Sequence, residues 1–228
     1  MLERVKSCQQ QPNFQMENAM TTPRRALIVI DVQQEYFEGL LPIQYPAREQ
    51  SVARIREAVE AAAQAGAPIV LVQHELPAGA PVFGAGSATF RHHPDIAAYE
   101  GKAARRVTKQ FGSVFAGTDL DAWLRGQGID TITLVGYMTN NCVLSSAVDA
   151  EPRGFNVEVL SDATGAIDLA NEAGRASARQ VHETLMVLLN SNWAAVAGTS
   201  AWIAALQAGE PLEKSNLVTS AAQGRNVS

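Results

Sequence analysis

Short apolar runs, each closed by a polar residue or a turn, recur along the chain. Five of them cover residues 26–31, 68–74, 131–136, 157–160 and 194–197, and a weaker run covers 105–109. Their hydrophobicity is continuous rather than alternating, which is typical of parallel strands covered on both faces. The pattern therefore predicts six strands.

Helical patterns fill the gaps between these runs. The first shows apolar residues three or four apart, at Val52, Ile55, Val59 and Ala62. Further helices are predicted over 118–126, 141–150 and about 172–190, the last with its apolar face at Ala178, Val181, Leu185 and Leu188. Strands alternating with helices predict a three-layer α/β/α fold with an open, mostly parallel six-stranded sheet of Rossmann-like type.

One domain accounts for this pattern, over residues 25–207, with weakly ordered tails at 1–24 and 208–228. Residues 76–101 are rich in Pro, Gly and Ala. This loop is longer than the ~12–15 residues usual for a connection without structure, which indicates a functional role.

Composition narrows the classes of function. The 228 residues are 46% hydrophobic and 18% charged, with a net charge of -5, and include two cysteines, Cys8 and Cys142. This charge argues against a nucleic-acid or membrane partner, and no apolar run approaches the ~20 residues of a membrane span. The first 24 residues lack the apolar core of a secretory signal. We therefore expect a cytoplasmic protein without disulfides, with a small molecule as its partner.

Three residues with chemically useful side chains stand at or just beyond predicted strand ends: Asp31, Lys109 and Cys142. Taken singly, they are compatible with a loop-capping carboxylate, a solvated lysine and a small buried thiol. The carboxyl ends of parallel strands meet at one edge of a sheet, where ligands bind. We therefore expect the three side chains to lie together.

The expected chemistry is that of an activated thiol. Cys142 opens a predicted helix, whose dipole lowers a thiol pKa from its usual value of about 8.5. A nearby lysine lowers the pKa further, and a carboxylate can accept the thiol proton. Nucleophile, base and cation are then present without a metal or another cofactor.

Four stretches of the sequence carry a resemblance to a known family. They are Ile28 to Gln33, then Thr108 to Phe115 with Thr118 to Leu124, then Gly136 to Val143, and Ser161 to Gly165, in this order along the chain. The sequence resembles the isochorismatase-like superfamily, in the cysteine-hydrolase branch that includes nicotinamidases, N-carbamoylsarcosine amidases and ureidoacrylate amidases. The resemblance implies an isochorismatase-like hydrolase fold over about residues 25–205, and a homo-oligomer, either a dimer or a tetramer.

The resemblance also implies roles for individual residues. Asp31 would be the general base, Lys109 would position it and stabilise charge, and Cys142 would attack the carbonyl. The peptide between Met138 and Thr139 corresponds to one that is cis in the family. We expect this turn to aim backbone N–H groups, including that of Cys142, at an oxyanion.

Two departures from family patterns limit the reaction and the cofactors. True isochorismatases lack the cysteine, so Cys142 argues against hydrolysis of isochorismate. The Asp-x-His pair of metal-containing nicotinamidases has no counterpart after the second strand, so no metal is expected, and His92 and His93 are interpreted as a solvated loop pair. The Gly84-Ala85-Gly86 stretch is not a dinucleotide fingerprint, and no cofactor is expected.

The resulting hypothesis is hydrolysis of a C–N bond in a small carboxamide or related acyl compound through a thioester. The expected pocket residues lie near strand ends, and are Gln33, Tyr36, Phe37, His74, Phe83, Phe90 and Tyr137. Two alternatives stay open. The same thiol could hydrolyse an ester, lactam or lactone, or the chain could bind a small molecule without catalysis.

Overall fold

A computed structural model describes residues 22–226 of the chain. Six strands form one parallel sheet: β1 (Arg25–Ile30), β2 (Ile69–His74), β3 (Arg105–Lys109), β4 (Thr131–Tyr137), β5 (Asn156–Gly165) and β8 (Ala195–Ala197). Their order across the sheet is β3-β2-β1-β4-β5-β8, and β6 (Leu169–Asn171) and β7 (Gly174–Ala176) form a separate hairpin. The predicted fold class is confirmed.

Helices cover both faces of the sheet. They are α1 (Arg48–Gln64), α2 (Pro94–Ala97), α3 (Leu120–Gly126), α4 (Leu144–Ala150), α5 (Ala178–Asn192), α6 (Thr199–Ala208) and α7 (Leu217–Arg225). Apolar side chains of α3, α4 and α5 join the core on one face, and those of α1, α2 and α6 join the core on the other. Because both faces are covered, β1 and β4 are buried along their whole length.

Gly136 shows how closely the two central strands approach one another. Its backbone has φ 104°, and a Cβ atom built there would lie 2.1 Å from the carbonyl oxygen of Ile30. A side chain at this position would push β4 away from β1. Glycine therefore keeps the end of β4 beside the end of β1.

The segment before α5 differs from the prediction. Residues 172–177, expected to be helical, instead belong to or follow a hairpin of β6 (Leu169–Asn171) and β7 (Gly174–Ala176). The helix begins after Ser177, whose side chain accepts from the N–H of Gln180 while the Gln180 side chain accepts from the N–H of Ser177. This reciprocal capping fixes the helix start.

The face that α5 buries is also shifted from the predicted one. Its buried residues are Ala178, His182, Met186, Leu189 and Ser191, whereas Leu188 is 46% exposed. The predicted face was correct at Ala178 and wrong at Leu188, while Val181 and Leu185 are only half-buried. The buried face is shifted because the core accepts the hydrogen-bonded His182 in place of an aliphatic residue.

The segment predicted as a weakly ordered C-terminal tail contains α7, which Asn216 caps by accepting from the N–H of Thr219. None of the α7 side chains is buried, so an apolar pattern could not indicate this helix. Residues 1–21, with Cys8, and 227–228 lie outside the described residues. The division into one domain with two tails stays a prediction.

Several large apolar side chains remain exposed on α5 and α7, namely Val187, Leu188, Leu217 and Val218. The homo-oligomer stays a prediction. Within residues 22–226, no helix combines the length and apolar character needed to cross a membrane.

Candidate active site

The chemistry-bearing side chains lie at the point where the strand order reverses. β1 and β4 are neighbours, and the chain continues outward from them to β2 and β3 on one side and to β5 and β8 on the other. In open parallel sheets such a switch point forms a crevice at the carboxyl ends of the strands. Asp31 follows β1, Lys109 ends β3, and Cys142 follows β4 by five residues.

The Lys109 ammonium lies at the centre of this cluster. Its Nζ atom is 2.7 Å from Asp31 Oδ2, 3.2 Å from Cys142 Sγ, 3.1 Å from His74 Nδ1 and 3.1 Å from the Phe111 carbonyl oxygen. The last three contacts have hydrogen-bond geometry, which matches the three hydrogens of an ammonium group. The structure therefore brings the three predicted side chains together around one buried cation.

Asp31 is held by its backbone and by an ion pair, and its carboxylate oxygens keep unused hydrogen-bonding capacity. Its side chain is fully buried and forms a close ion pair with Lys109, yet neither carboxylate oxygen has a partner with hydrogen-bond geometry. Its backbone has φ 50°, which is sparsely populated for residues other than glycine, and its N–H donates to the Val72 carbonyl. A buried carboxylate in this state can accept a proton or a hydrogen bond.

Cys142 lies in a π-helical turn, Thr139–Val143, that leads directly into α4. Burial of the side chain, followed by the Asp31 charge, raises the pKa of the Cys142 thiol to about 12, although Lys109 lowers it. The expectation that the helix start and the lysine bring this pKa toward neutrality was wrong. The thiol is only 2% exposed, and desolvation of the thiolate outweighs the attraction of the cation.

The two other titratable groups of the cluster have opposite shifts. Burial lowers the pKa of Lys109, but Asp31 and Cys142 raise it more, so its pKa lies above the usual value. Burial and the Lys109 charge lower the pKa of His74. At neutral pH the cluster therefore holds a charged lysine beside a neutral imidazole and a neutral thiol.

A metal ion does not fit this arrangement. Asp31, His74 and Cys142 offer ligand atoms within 4.8 Å of one another. The Lys109 ammonium, however, lies within 3.2 Å of an atom of each of them. A dication between these ligands would meet a positive charge that is already in contact with all three. The metal-free site stays a prediction, now with a physical reason.

The turn before Cys142 contains the non-proline cis peptide, which joins Tyr137 to Met138. The prediction placed it one bond later, between Met138 and Thr139; β4 extends to Tyr137, so the bond lies at the end of the strand. The Thr139 hydroxyl lies 2.9 Å from Nδ1 of His182 on α5, and both residues are buried. Sequence reasoning missed His182, whose signal was its spacing of four residues from Ala178 and from Met186.

Aromatic rings form a continuous arc beside the cluster. Successive ring centroids are 5.0, 5.4, 5.4, 5.9 and 4.2 Å apart along His74, Phe83, Tyr36, Tyr137, Phe37 and His93. The arc begins at His74, whose Nδ1 lies 3.1 Å from the Lys109 ammonium, so it starts at the charged cluster. Burial, followed by the charges of Cys142 and Asp31, raises the pKa of Tyr36. Five of the predicted pocket residues therefore lie together. We call the six rings the aromatic arc.

Two predicted pocket residues have other positions. Gln33 is fully buried, donates to the carbonyl groups of His74 and Phe90, and accepts from the N–H of His74. Its amide is thus occupied in tying β2 to the 76–101 loop. Phe90 lines a separate cleft with Gln73 and His92, and its ring makes no contact with the arc within the described residues.

The adjacent histidines of the loop are not the solvated pair that was predicted. His92 is 8% exposed, and its Nδ1 lies 2.9 Å from a Glu100 carboxylate oxygen. His93 accepts from the N–H of Asp95 and packs against Phe37. The prediction failed because the loop folds back over the carboxyl ends of the strands, where the His93 N–H donates to the Val32 carbonyl.

Comparisons with known proteins agree on one family. The sequence-family model described as the isochorismatase domain matches residues 25–191 of this chain. The crystal structure of an isochorismatase-family protein from Burkholderia xenovorans LB400 superposes with a TM-score of 0.88 at 48% identity, covering 90% of this chain and 98% of that chain.

Two curated proteins show the range of relatives. A secreted isochorismatase effector of Verticillium dahliae is 40% identical over 149 residues, which are 65% of this chain and 76% of the relative. A ureidoacrylate amidohydrolase of Stutzerimonas stutzeri is 29% identical over 181 residues, which are 64% of this chain and 71% of the relative. The family match spans the whole described sheet apart from β8, together with every residue of the Lys109 cluster. This chain belongs to the isochorismatase family of hydrolases.

Proposed function

We propose that this protein is a cysteine-dependent hydrolase that cleaves a C–N bond of a small carboxamide through a thioester on Cys142. The observation that carries the proposal is the buried Asp31 carboxylate, which has no hydrogen-bond partner beside a thiol that is protonated at neutral pH. A base with free lone pairs next to an acid that must lose its proton is the arrangement that nucleophilic catalysis requires.

Acylation follows from the ionisation of the cluster. A thiol with a pKa of about 12 is neutral at pH 7, so its proton passes to Asp31 as Sγ attacks the substrate carbonyl. The Lys109 N–H that points at Sγ stabilises the charge that develops on sulfur. The carbonyl oxygen becomes an oxyanion near Thr139 and Cys142, because the first N–H groups of a helix have no acceptors within the helix.

The same proton completes the step. When the tetrahedral intermediate collapses, the C–N bond breaks, and the protonated Asp31 donates its proton to the departing amine. The products are a thioester on Cys142 and a free amine or ammonia.

Deacylation uses the same groups, with water as the nucleophile and Cys142 Sγ as the leaving group. A water molecule loses its proton to Asp31 and attacks the thioester carbonyl. Collapse of this second intermediate breaks the C–S bond, and Asp31 returns the proton to Sγ. The carboxylic acid leaves, and the thiol and the carboxylate are regenerated.

The relatives support amide substrates, since the Stutzerimonas protein is named as an amidohydrolase. Hydrolysis of esters, lactams or lactones uses the same thiol and the same base, so it is the second candidate. An amide needs Asp31 as an acid for its leaving group more than an ester does, because an amine leaves as the neutral molecule only after it has been protonated.

Purified protein carrying Cys8→Ser should release ammonia from members of a panel of primary amides, ureido acids and cyclic amides. Mass spectrometry of the quenched reaction should show an acyl adduct on Cys142. The control is the same protein with Cys142→Ala, which removes the nucleophile and leaves a slightly smaller buried side chain. Equal turnover by both proteins, or neither turnover nor an adduct with any amide or ester, would exclude the proposal.

A further inference from the structure

We propose that His182 of α5 is a positioning residue, which holds the turn that carries Cys142 by accepting a hydrogen bond from the Thr139 hydroxyl. This inference rests on the proposed thioester chemistry and adds a group that acts on it from a distance. It also assigns a role to Thr139: its side chain anchors the turn, and stabilisation of the oxyanion is left to backbone N–H groups.

The turn that carries the nucleophile has few hydrogen bonds of its own. It is π-helical over Thr139–Val143, a rare conformation that occurs mostly as single turns, often at functional sites. The Met138 carbonyl accepts from two of its N–H groups. The N–H groups of Thr139 and Asn140 have no acceptor among residues 22–226, as expected at the start of a helix. Contacts from other elements must therefore fix the position of this turn.

Two side chains of the turn provide such contacts within the described part of the chain. The Cys142 thiol accepts from the Lys109 ammonium at 3.2 Å, and the Thr139 hydroxyl lies 2.9 Å from Nδ1 of His182. Thr139 is fully buried and His182 is 3% exposed, so water does not compete for their hydrogen bond. His182 therefore holds the beginning of the turn, as Lys109 holds the thiol.

The imidazole of His182 is itself held from three sides. The reciprocal cap of Ser177 and Gln180 fixes the start of α5, close to His182. The ring packs edge-on against that of Tyr45, with a centroid distance of 5.6 Å, and it forms a hydrogen bond with the backbone of Ser161 on β5. A side chain that is fixed in this way can impose its position on the turn.

The Ser161 contact sets the direction of the Thr139–His182 hydrogen bond. Burial lowers the pKa of His182, and the bond to Ser161, followed by the Glu183 charge, offsets this only in part, so the ring is neutral at pH 7. A backbone group that favours the protonated ring is an acceptor, so the single ring hydrogen faces the Ser161 carbonyl. Nδ1 therefore accepts, and the Thr139 hydroxyl donates.

This direction separates the roles of the Thr139 side chain and backbone. A hydroxyl has one hydrogen, so a hydroxyl that donates to Nδ1 cannot also donate to an oxyanion. Loss of the hydrogen bond would instead let the turn shift relative to Lys109. A misplacement of about 1 Å can cost about 100-fold in rate. A shifted turn would also expose the Cys142 thiol, which is 2% exposed in the intact site.

Matched variants test the anchor in the Cys8→Ser background. His182→Leu removes both ring nitrogens, whereas His182→Asn keeps an acceptor near the position of Nδ1. Thr139→Val removes the hydroxyl with little change in shape, whereas Thr139→Ser keeps it. Glu158→Gln lowers stability at the opposite ends of the strands, so it serves as the control for a general loss of stability.

Expected rates refer to the amide that the parent hydrolyses fastest, with kcat expressed per folded molecule. His182→Leu and Thr139→Val should each lower kcat by about 10- to 100-fold and change KM less. The double variant should lose little more than either, because both substitutions remove the same hydrogen bond. Thr139→Ser and His182→Asn should recover most of the loss.

Alkylation of Cys142 by iodoacetamide gives a second readout, because this reaction forms no oxyanion. It should be faster in His182→Leu and Thr139→Val than in the parent, since a displaced turn leaves the thiol less buried. Glu158→Gln should change neither kcat nor the alkylation rate. An opposite effect on turnover and alkylation is specific to an anchor of the turn.

Three results would overturn the positioning role while amide hydrolysis stands. They are a parent-like kcat in His182→Leu, additive losses in the double variant, and a loss in Glu158→Gln as large as that in His182→Leu. If no amide is hydrolysed, the proposed function fails, and the alkylation rates decide alone. Faster alkylation in both His182→Leu and Thr139→Val would then still support the anchor, and any other result would exclude it.

Discussion

The sheet carries a buried charged cluster at each end, and the two clusters differ in how completely their polar atoms are paired. At the amino end, Arg25 of β1 forms hydrogen bonds of 2.8–3.1 Å to both oxygens of Glu158 on β5. Thr133 and Trp202 also donate to Glu158, at 2.7 and 2.9 Å. Each buried polar atom of these four side chains has a partner.

At the carboxyl end, the cluster around Lys109 lacks this completeness. Asp31 is as deeply buried as Glu158, yet both of its oxygens lack a hydrogen-bond partner, and its backbone has a positive φ. A fully paired network holds strands together, whereas an incompletely paired one retains capacity for a substrate or a proton. Buried charge therefore stabilises the sheet at the amino ends of its strands and, as we propose, serves chemistry at their carboxyl ends.

Replacement of the Asp31 carboxylate should have the largest effect on the rate of amide hydrolysis. Asp31→Asn removes the base for the thiol and the acid for the amine, so kcat for amides should fall by about 100- to 10,000-fold. Asp31→Asn also leaves the Lys109 ammonium buried without its counter-ion, so its midpoint of urea unfolding should fall as well, and kcat is therefore expressed per folded molecule. Steady-state assays and urea titrations on the same preparations measure both effects. Retention of a tenth or more of the parent kcat would contradict the acid–base role.

The matching change at the amino end should alter stability rather than turnover. Glu158→Gln leaves the Arg25 guanidinium buried without its counter-ion, which costs about 3–5 kcal/mol of unfolding free energy. Measured well below the unfolding midpoint, kcat per folded molecule should stay within about twofold, because the two clusters lie at opposite ends of the strands. A large loss of kcat with unchanged stability would show that the division of roles between the two edges is wrong.

The alkylation rate of Cys142 should report the opposite effects of Asp31 and Lys109 on the thiol pKa. Since the Cys142 pKa is about 12, alkylation by iodoacetamide should be slow at pH 8 and rise about tenfold per pH unit up to that value. Asp31 raises this pKa and Lys109 lowers it. Asp31→Asn should therefore speed alkylation at a given pH, and Lys109→Met should slow it, each by about tenfold.

The alkylation measurement needs the Cys8→Ser background, so that Cys142 alone is titrated. Shifts in the same direction for both variants would mean that the two charges do not act on the thiol as opposite neighbours. A parent thiol that reacts at its full rate near pH 7 would show that burial does not control the pKa.

The fold and the identity of the central cluster could be predicted because both follow from where apolar runs stop. The run through Ile30 ends abruptly at Asp31, and parallel strands bring their carboxyl ends together whatever their loops do. The segments that were mispredicted lack such a signal. The start of α5 depends on the cap formed by Ser177 and Gln180, and the hairpin before it consists mostly of exposed residues.

The ionisation of the site and the makeup of its walls lay beyond the sequence. The direction of the Cys142 pKa shift depends on whether burial or the Lys109 cation is stronger, and the depth of burial cannot be deduced from spacing. Gln33 has the residue type of a ligand-binding group, yet its amide is fully used by backbone atoms of two separate segments. Only the folded loop shows that His93, rather than Phe90, extends the aromatic arc.

The smallest expected effect is that of removing metal ions from the parent protein. Lys109 Nζ takes up the space that a dication would share with Asp31, His74 and Cys142. Exhaustive chelation should therefore leave kcat/KM unchanged.

A charge-deleting variant sharpens this expectation. Lys109→Met removes the competing cation and leaves three potential ligand atoms within 4.8 Å of one another, so this variant should bind zinc measurably while the parent should not. Adding His74→Ala to Lys109→Met removes one ligand and should weaken the new site, which separates it from adventitious binding. Calorimetric titration with zinc gives the three affinities at one pH. Two results would contradict this expectation: chelation inactivates the parent and zinc restores it, or the parent binds zinc as tightly as Lys109→Met does. Either result would show that the Lys109 ammonium does not keep a metal ion out of this cluster.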